Sequence, residues 1–389
     1  MGSGDVGYAL VAQVAPNGLW GSSANTAPSA LVAGTASLST GVIEGIGLLR
    51  TGNAYGSGSN YDRYAYVIVG RSDAAAAAKL PGKALVYMSG MDVPKGFSTG
   101  VDYNTALANG WLVRDSSGNL MTGYGGTQYL GDVGSAGYQQ AWLSNVSDFL
   151  RSTGAEGVYI DDVLGNVSTW SDCRCFPPKY PSLAAWESAT VAFMQAVGPA
   201  LKARGFYVLA SPHNFIGGDG RSDDGSLEAE WWRQMAPNVS GLMNEYWTQN
   251  GANSQSRSIG PSWNQQWDGW QRLVSVAQNA GADFFGIAYG SSSSPGPIRF
   301  AKGSFLLDWH GRGGAVFFDE INGLDPWNAY YTADIGDPVG AKTQIATGVW
   351  QRQYSAGIVV VNATTATVTV TVAGNTRTIG ATDALILPS

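Results

Sequence analysis

Apolar runs of strand length recur along most of this chain, with segments of helical period between them. The runs are Tyr64 to Val69, Lys83 to Met88, Gln128 to Val133, Gly157 to Asp161, Phe206 to Ser211, Gly241 to Tyr246, Asp283 to Tyr289 and Gly314 to Phe318. Most are unbroken rather than alternating, as expected of strands covered on both faces of a parallel sheet. Between them, Trp142, Val146, Phe149 and Leu150 fall at helical spacing within Tyr138 to Ser152. Ser182 to Arg204 predicts a helix broken near Pro199, and Ser262 to Ala280 carries Trp263, Trp267 and Trp270 along one face, a stripe read as core. Eight strand-like runs predict an α/β fold, a (β/α)8 TIM barrel over residues 61–336. Residues 1–60, rich in Gly, Ala, Ser and Thr with short apolar runs at Tyr8 to Val14 and Val42 to Leu49, read as a lead-in segment.

Beyond the loop from Asp337 to Lys342 the period becomes two, with Thr367, Thr369 and Thr371 alternating with Val368, Val370 and Val372. Together with Gly348 to Gln353, Gly357 to Asn362 and Ala384 to Leu387 this predicts a small antiparallel β-sandwich over residues 343–389. A unit of that size lies below the length at which cores are self-sufficient, so it is expected to dock on the barrel.

Composition narrows the partners. Charged residues are 13% of the 389, against about a quarter in ordinary domains, while there are 14 Trp and 53 Gly. A net charge of -7 without any basic run argues against nucleic acid. No apolar stretch reaches the ~20 residues of a membrane helix, so no membrane partner is expected. Both cysteines fall in Cys173-Arg174-Cys175, which leaves open a disulfide that stiffens a loop or two free thiols. With only His213 and His310 besides, neither a metal nor a cofactor is expected.

The chemistry stands at the carboxyl ends of the strand runs, the face that carries the active site in such barrels. There lie Asp132, then Asp161 with Asp162, His213 with Asn214, Glu245 with Tyr246 and Trp247, Tyr289, and Asp319 with Glu320. Carboxyl groups among aromatic rings suit hydrolysis of a sugar acetal: one protonates the leaving oxygen, another attacks or activates water, and the rings stack on sugar faces. Asp161 and Glu245 are the expected catalytic pair, and the others the expected substrate-binding residues. For Asp132 and Asp319 a helix cap is an equal alternative. Glu228 and Glu230 read as loop or helix-face residues. Asp161 is preferred to Asp162 because neighbouring strand residues point to opposite faces.

Three segments carry a resemblance: Tyr129-Leu-Gly-Asp132-Val133-Gly, the helical stretch Trp142 to Leu150, and Gly157-Val-Tyr-Ile-Asp161-Asp162-Val163. They resemble glycoside hydrolase barrels that include the hypothetical family 15 group, and are similar to the polygalactosaminidase family. Trp350-Gln-Arg352-Gln-Tyr354-Ser-Ala-Gly357-Ile-Val-Val-Val-Asn362 resembles the β-domain that follows such barrels. The resemblance implies a strand-four nucleophile at Asp161 and a strand-six acid/base at Glu245, although several of those families carry Asp at the latter place. The expected activity is retaining hydrolysis of an extracellular polysaccharide by a secreted or virion-associated protein. The alternative is a non-catalytic barrel that binds carbohydrate, as in a phage tail.

Overall fold

The computed structural model describes residues 65–213, 226–245, 247–248, 267–290, 295–311, 313–320 and 335–389, together with the backbone of 46–49. Its centre is one sheet of eight strands: Ile46–Leu49, Tyr66–Val69, Lys83–Ser89, Gly157–Leu164, Tyr207–His213, Gly241–Glu245, Asp283–Gly290 and Ala315–Glu320. Each is parallel to the next. The first strand comes back against the last, so the sheet curls into a (β/α)8 barrel.

Two expectations change. Gln128 to Val133 is not a barrel strand, since only Gln128–Leu130 is extended, in a three-stranded antiparallel sheet with Asp92–Pro94 and Thr122–Gly123. That small sheet belongs to the long excursion between the third and fourth barrel strands. Its Gln128–Leu130 strand has Tyr129 half-exposed between buried neighbours, whereas Gly157–Leu164 is buried throughout. The missing barrel strand is Ile46–Leu49, which lies in the segment read as a lead-in. Because one strand enters as another leaves, Gly157–Leu164 is still the fourth strand and Gly241–Glu245 the sixth.

Pleat alternation sorts the side chains into layers. Tyr66, Tyr207 and Phe285 come from the second, fifth and seventh strands, yet their rings meet at 4.8–6.3 Å, so they fill the barrel interior near its amino end. Tyr207 donates to Asp283 there at 2.7 Å. One layer up, Tyr87 and Tyr159 are register partners with rings 5.9 Å apart. Outward-facing residues pack on the surrounding layer: Phe284 meets Trp232 and Phe305 from helices and Trp247 from the bend after the sixth strand.

The helices follow the sequence pattern, with one difference. Ala136–Thr153 ends at Gly154, whose φ of 77° terminates the helix in the left-handed form that glycine adopts freely. Leu183–Ala203 runs through Pro199 without a break. Pro199 and Gln195 lie on the exposed face, so water can satisfy the Gln195 carbonyl that loses its donor. Trp267 and Trp270 of helix Trp267–Asn279 are buried as the stripe implied, while Trp263 lies outside the described residues.

The C-terminal unit starts at Pro338, earlier than expected. Strands Pro338–Ala346, Val349–Tyr354, Gly357–Asn362 and Asp383–Pro388 form an antiparallel sheet, and Val368–Val372 with Asn375–Ile379 form a hairpin. One sheet face joins the hairpin valines in a small core of Val349, Val360, Val372 and Ile379. The other face joins the barrel core through Val359, Val361 and Ala384. It packs on helix Pro295–Asp308, where Tyr354 donates to the Leu306 carbonyl at 2.6 Å and Arg352 to the carbonyls of Leu306 and Trp309 at 3.1 and 2.6 Å. Arg299 clasps Asp383 through two hydrogen bonds of 2.9 and 2.5 Å.

Gly303 makes this contact possible, because a Cβ there would stand 2.6 Å from the Ala384 Cβ. Gly303→Val is therefore expected to wedge the sheet off the helix and cost about 1–3 kcal/mol, the usual range for overpacking. Denaturant unfolding of the full chain measures this, and an unchanged midpoint would contradict it.

Candidate active site

The fourth strand brings its two adjacent carboxyl groups to one place by a break in its own pleat. Tyr159 and Asp161 share the inward face, and Ile160 turns outward toward Phe193 and Gly90. Regular alternation would send Asp162 outward too. Instead Asp162 takes a φ of 53°, and the ladder to the fifth strand slips between Ile160 and Val163. This is a bulge, and it re-aims one side chain. Asp161 and Asp162 thus enter a single hydrogen-bonded cluster, so strand alternation does not separate their roles.

The Asp161 carboxylate accepts from Tyr159 Oη at 3.2 Å, from the Tyr87 hydroxyl and from the backbone N–H of Asp162. Asp162 accepts from Tyr124 Oη at 3.2 Å and shares a hydrogen bond with Asp92. Asp92 stands just past the third strand, its N–H donating to Ser89 Oγ at 2.8 Å and its carbonyl accepting from Thr99 Oγ1 at 2.9 Å. All three carboxyl groups are buried.

Burial raises all three. Desolvation, then the Asp162 charge, pushes Asp161 up to about 8 against the opposing hydrogen bonds of Asp162, Tyr87 and Tyr159. Desolvation raises Asp92 to about 7, although the Asp162 hydrogen bond works the other way. Asp162 is raised well above the carboxylate range by burial, by the Asp92 charge and by carrying the proton in their shared hydrogen bond. Tyr87 and Tyr124 are raised by burial and by the surrounding carboxylates, so both stay protonated donors. Three such groups do not all ionise at neutral pH. The proton shared by Asp92 and Asp162 stays on Asp162, and burial holds Asp161 largely protonated near neutral pH, while its three donors favour the ionised form that attack would use.

The other expected residues divide. His213, at the end of the fifth strand, is half-buried with Nε2 2.6 Å from Ser211 Oγ, and desolvation lowers it to about 4. It is a neutral imidazole at the barrel mouth. Asp132 is occupied by an ion pair with Lys179 and a hydrogen bond from Tyr180, and its carbonyl accepts from Ser135 at the start of helix Ala136–Thr153. Trp247 is 1% exposed; it packs on Phe284 and Gly286 and donates to the Trp270 carbonyl at 3.2 Å. This placement spends the ring on the core, where it offers no face to a sugar. Glu228, on helix Ser226–Met235, is buried and accepts from Trp232, which also reaches Pro212 at the end of strand five. Glu230 is exposed and pairs with Arg233.

Glu245, Tyr289, Asp319 and Glu320 end their strands on the same edge, with Glu245 in register with Ile287 and Asp319 with Tyr289, but their side chains lie outside the described residues. Asn214 and Tyr246 lie outside them altogether. Among the described residues no His, Cys, Asp or Glu group is arranged to hold a metal, and no helix is long and apolar enough to cross a membrane. Cys173 and Cys175 are joined as a disulfide.

Sequence reasoning missed Asp92, Tyr87, Tyr124 and Tyr159. Asp92 had a signal, because it stands four residues past the Lys83 to Met88 run. Tyr124 had none, since only tertiary contacts bring it over the fourth strand.

The model of a family described as hypothetical glycosyl hydrolase family 15 matches residues 88–358. No curated protein sequence matches the chain significantly. Among solved structures, the chain is similar to a noncanonic maltogenic alpha-amylase from Thermotoga neapolitana at 8% identity and a TM-score of 0.50, covering 89% of this chain and 96% of that one. It is also similar to the glycoside hydrolase domain of PelA from Pseudomonas aeruginosa at 11% identity and a TM-score of 0.43, covering 72% and 97%. At such identities the first likeness speaks to the barrel fold.

The cluster sets a pH dependence of stability. Asp92 is raised to about 7 when folded, so its contribution is fully present below its unfolded value near 4 and is lost as pH rises to about 7. Asp92→Asn should match the wild type near pH 4 and exceed it by a few kcal/mol at pH 8. Denaturant unfolding at both pH values checks this, and parallel pH slopes for the two proteins would contradict it.

Proposed function

The chain belongs to hypothetical glycosyl hydrolase family 15, and from that premise we propose that it hydrolyses glycosidic bonds of an extracellular polysaccharide with retention of configuration. The observation that carries the proposal is the donor set on Asp161. Two tyrosine hydroxyls and a backbone N–H hold its carboxylate inside the barrel at the end of the fourth strand. An ionised carboxylate fixed by rigid neighbours is what attack on an anomeric carbon requires.

Asp161 would attack the anomeric carbon while Glu245 gives its proton to the departing glycosidic oxygen. Glu245 would then take a proton from the water that breaks the glycosyl ester and frees Asp161. Position 245 has the strand parity of Gly241, which faces Phe285 and Tyr207 in the interior. Neighbouring strands lie ~4.8 Å apart, so the fourth and sixth are separated by about 10 Å, and a retaining pair needs its carboxyl groups ~5 Å apart. Asp162 and the neutral His213 would orient sugar hydroxyls, with Asn214, Tyr246, Tyr289, Asp319 and Glu320 completing the rim. The disulfide and the weakly charged composition support a site of action outside the reducing cytoplasm.

Release of reducing ends across a polysaccharide panel tests the activity. With the substrate found, Asp161→Asn should abolish turnover at unchanged fold. Glu245→Gln should lower it by roughly 10²–10⁴ while sparing substrates with good leaving groups. Asp162→Asn should keep substantial activity. Glycan binding without release would favour the non-catalytic barrel, and full activity in Asp161→Asn would overturn the role assignment.

A further inference from the structure

We propose that Asp172, outside the carboxyl cluster, is a positioning residue that holds Tyr124 over Asp162, and that the Cys173–Cys175 disulfide braces it. The inference rests on the reading above only in taking that cluster as the working site.

Two segments are zipped together beside the cluster. Gly123 bridges Ser171, and the Asp172 N–H donates to the Thr122 carbonyl at 2.7 Å. The Asp172 carboxylate closes the clasp, accepting from Thr122 Oγ1 at 2.8 Å, Gly125 N at 3.0 Å and Gly126 N at 2.8 Å. Between these anchors stands Tyr124. Its ring meets Trp170 edge-on at 5.8 Å, and a Cβ on Gly123 would lie 2.7 Å from the same indole.

The backbone there is one that side-chain-bearing residues rarely adopt. Tyr124, Gly125 and Gly126 have φ of 53°, 67° and 84° in succession. Glycine takes such values freely, whereas Tyr124 needs its surroundings to impose them. Among the described residues five non-glycine positions have positive φ: Tyr124, Asp162, Arg174, Ala373 and Thr382. Three of the five belong to this assembly, since Tyr124 and Asp162 are joined by the 3.2 Å hydrogen bond and Arg174 stands between the two cysteines. Unfavourable backbone gathered at one hydrogen bond points to a constraint kept for that bond.

The bond decides where a proton sits. The groups facing Asp162 are Asp92 from the small sheet, Asp161 from its own strand, Tyr87 from the third strand and Tyr124 from the clasped loop. Asp92 leaves the shared proton on Asp162, and Tyr124, by donating to its carboxylate, favours the ionised form. Withdrawing Tyr124 therefore makes Asp162 harder to ionise. The disulfide, exposed at Cys173 and half-buried at Cys175, closes a short ring directly after Asp172, which fixes the direction in which the chain leaves the clasp.

The test is titration of the Asp162 carboxyl by carbon NMR of the full chain labelled at aspartate carboxyls. Loss of a hydrogen bond to a charged group corresponds to about one pH unit. Tyr124→Phe and Asp172→Ala should each raise the Asp162 midpoint by about that much, the double variant no further, and Asp172→Asn less because one acceptor oxygen is kept. Thiol reduction of the wild type, which needs no substitution, should move it the same way. An unmoved midpoint in folded Asp172→Ala, or additive shifts in the double variant, overturns the positioning role. An unmoved midpoint on reduction overturns the brace. Because this readout needs no turnover, it stands apart from the glycosidase reading.

Discussion

Burying three carboxyl groups against one another is the constraint to which the centre of this molecule answers. Among the described residues no cation offsets Asp92, Asp161 and Asp162 in their hydrogen-bonded cluster. A charge taken out of water is tolerated only when donors replace its hydration. The tyrosines supply them: Tyr87 and Tyr159 from adjacent strands at one level, Tyr124 from a clasped loop above. The remaining excess of negative charge is relieved by retaining a proton between Asp92 and Asp162.

The barrel is suited to this task because its strands fix donors without flexible linkers. Tyr87 and Tyr159 are register partners whose rings stand on the aromatic layer of Tyr66, Tyr207 and Phe285, so their hydroxyls cannot wander. The bulge at Asp162 is the exception within a regular strand, and it brings the second carboxyl group to the first. A site of this kind joins rigid scaffold to local irregularity, which is where function concentrates strain. The C-terminal sheet contributes at a distance. By burying one face on helix Pro295–Asp308, beside the seventh and eighth strands, it covers apolar surface that the barrel would otherwise leave to solvent.

Different parts of the chain were legible to different degrees. Gly157–Leu164 was plain because a run buried on both faces has no polar position until its chemistry begins. The valine and threonine alternation of Val368–Val372 was equally plain, since one dry face imposes period two. Gln128–Leu130 and Ile46–Leu49 exchanged places because short apolar runs carry too little pattern to say which sheet they join. Pro199 was misjudged because the sequence does not show that the carbonyl it orphans faces water.

The sequence by itself determined the barrel class, the docked β-domain and the presence of acids at the ends of the fourth and sixth strands, because periodicity and burial are local properties of a chain. Only the tertiary structure decided which groups meet. Asp92 reaches Asp162 across an excursion of nearly seventy residues, Tyr124 is delivered by Asp172 from 48 positions further on, and one φ of 53° places Asp162 with Asp161 rather than behind it. Such contacts depend on loop closure and on a single backbone angle, and neither leaves a trace in hydrophobic pattern.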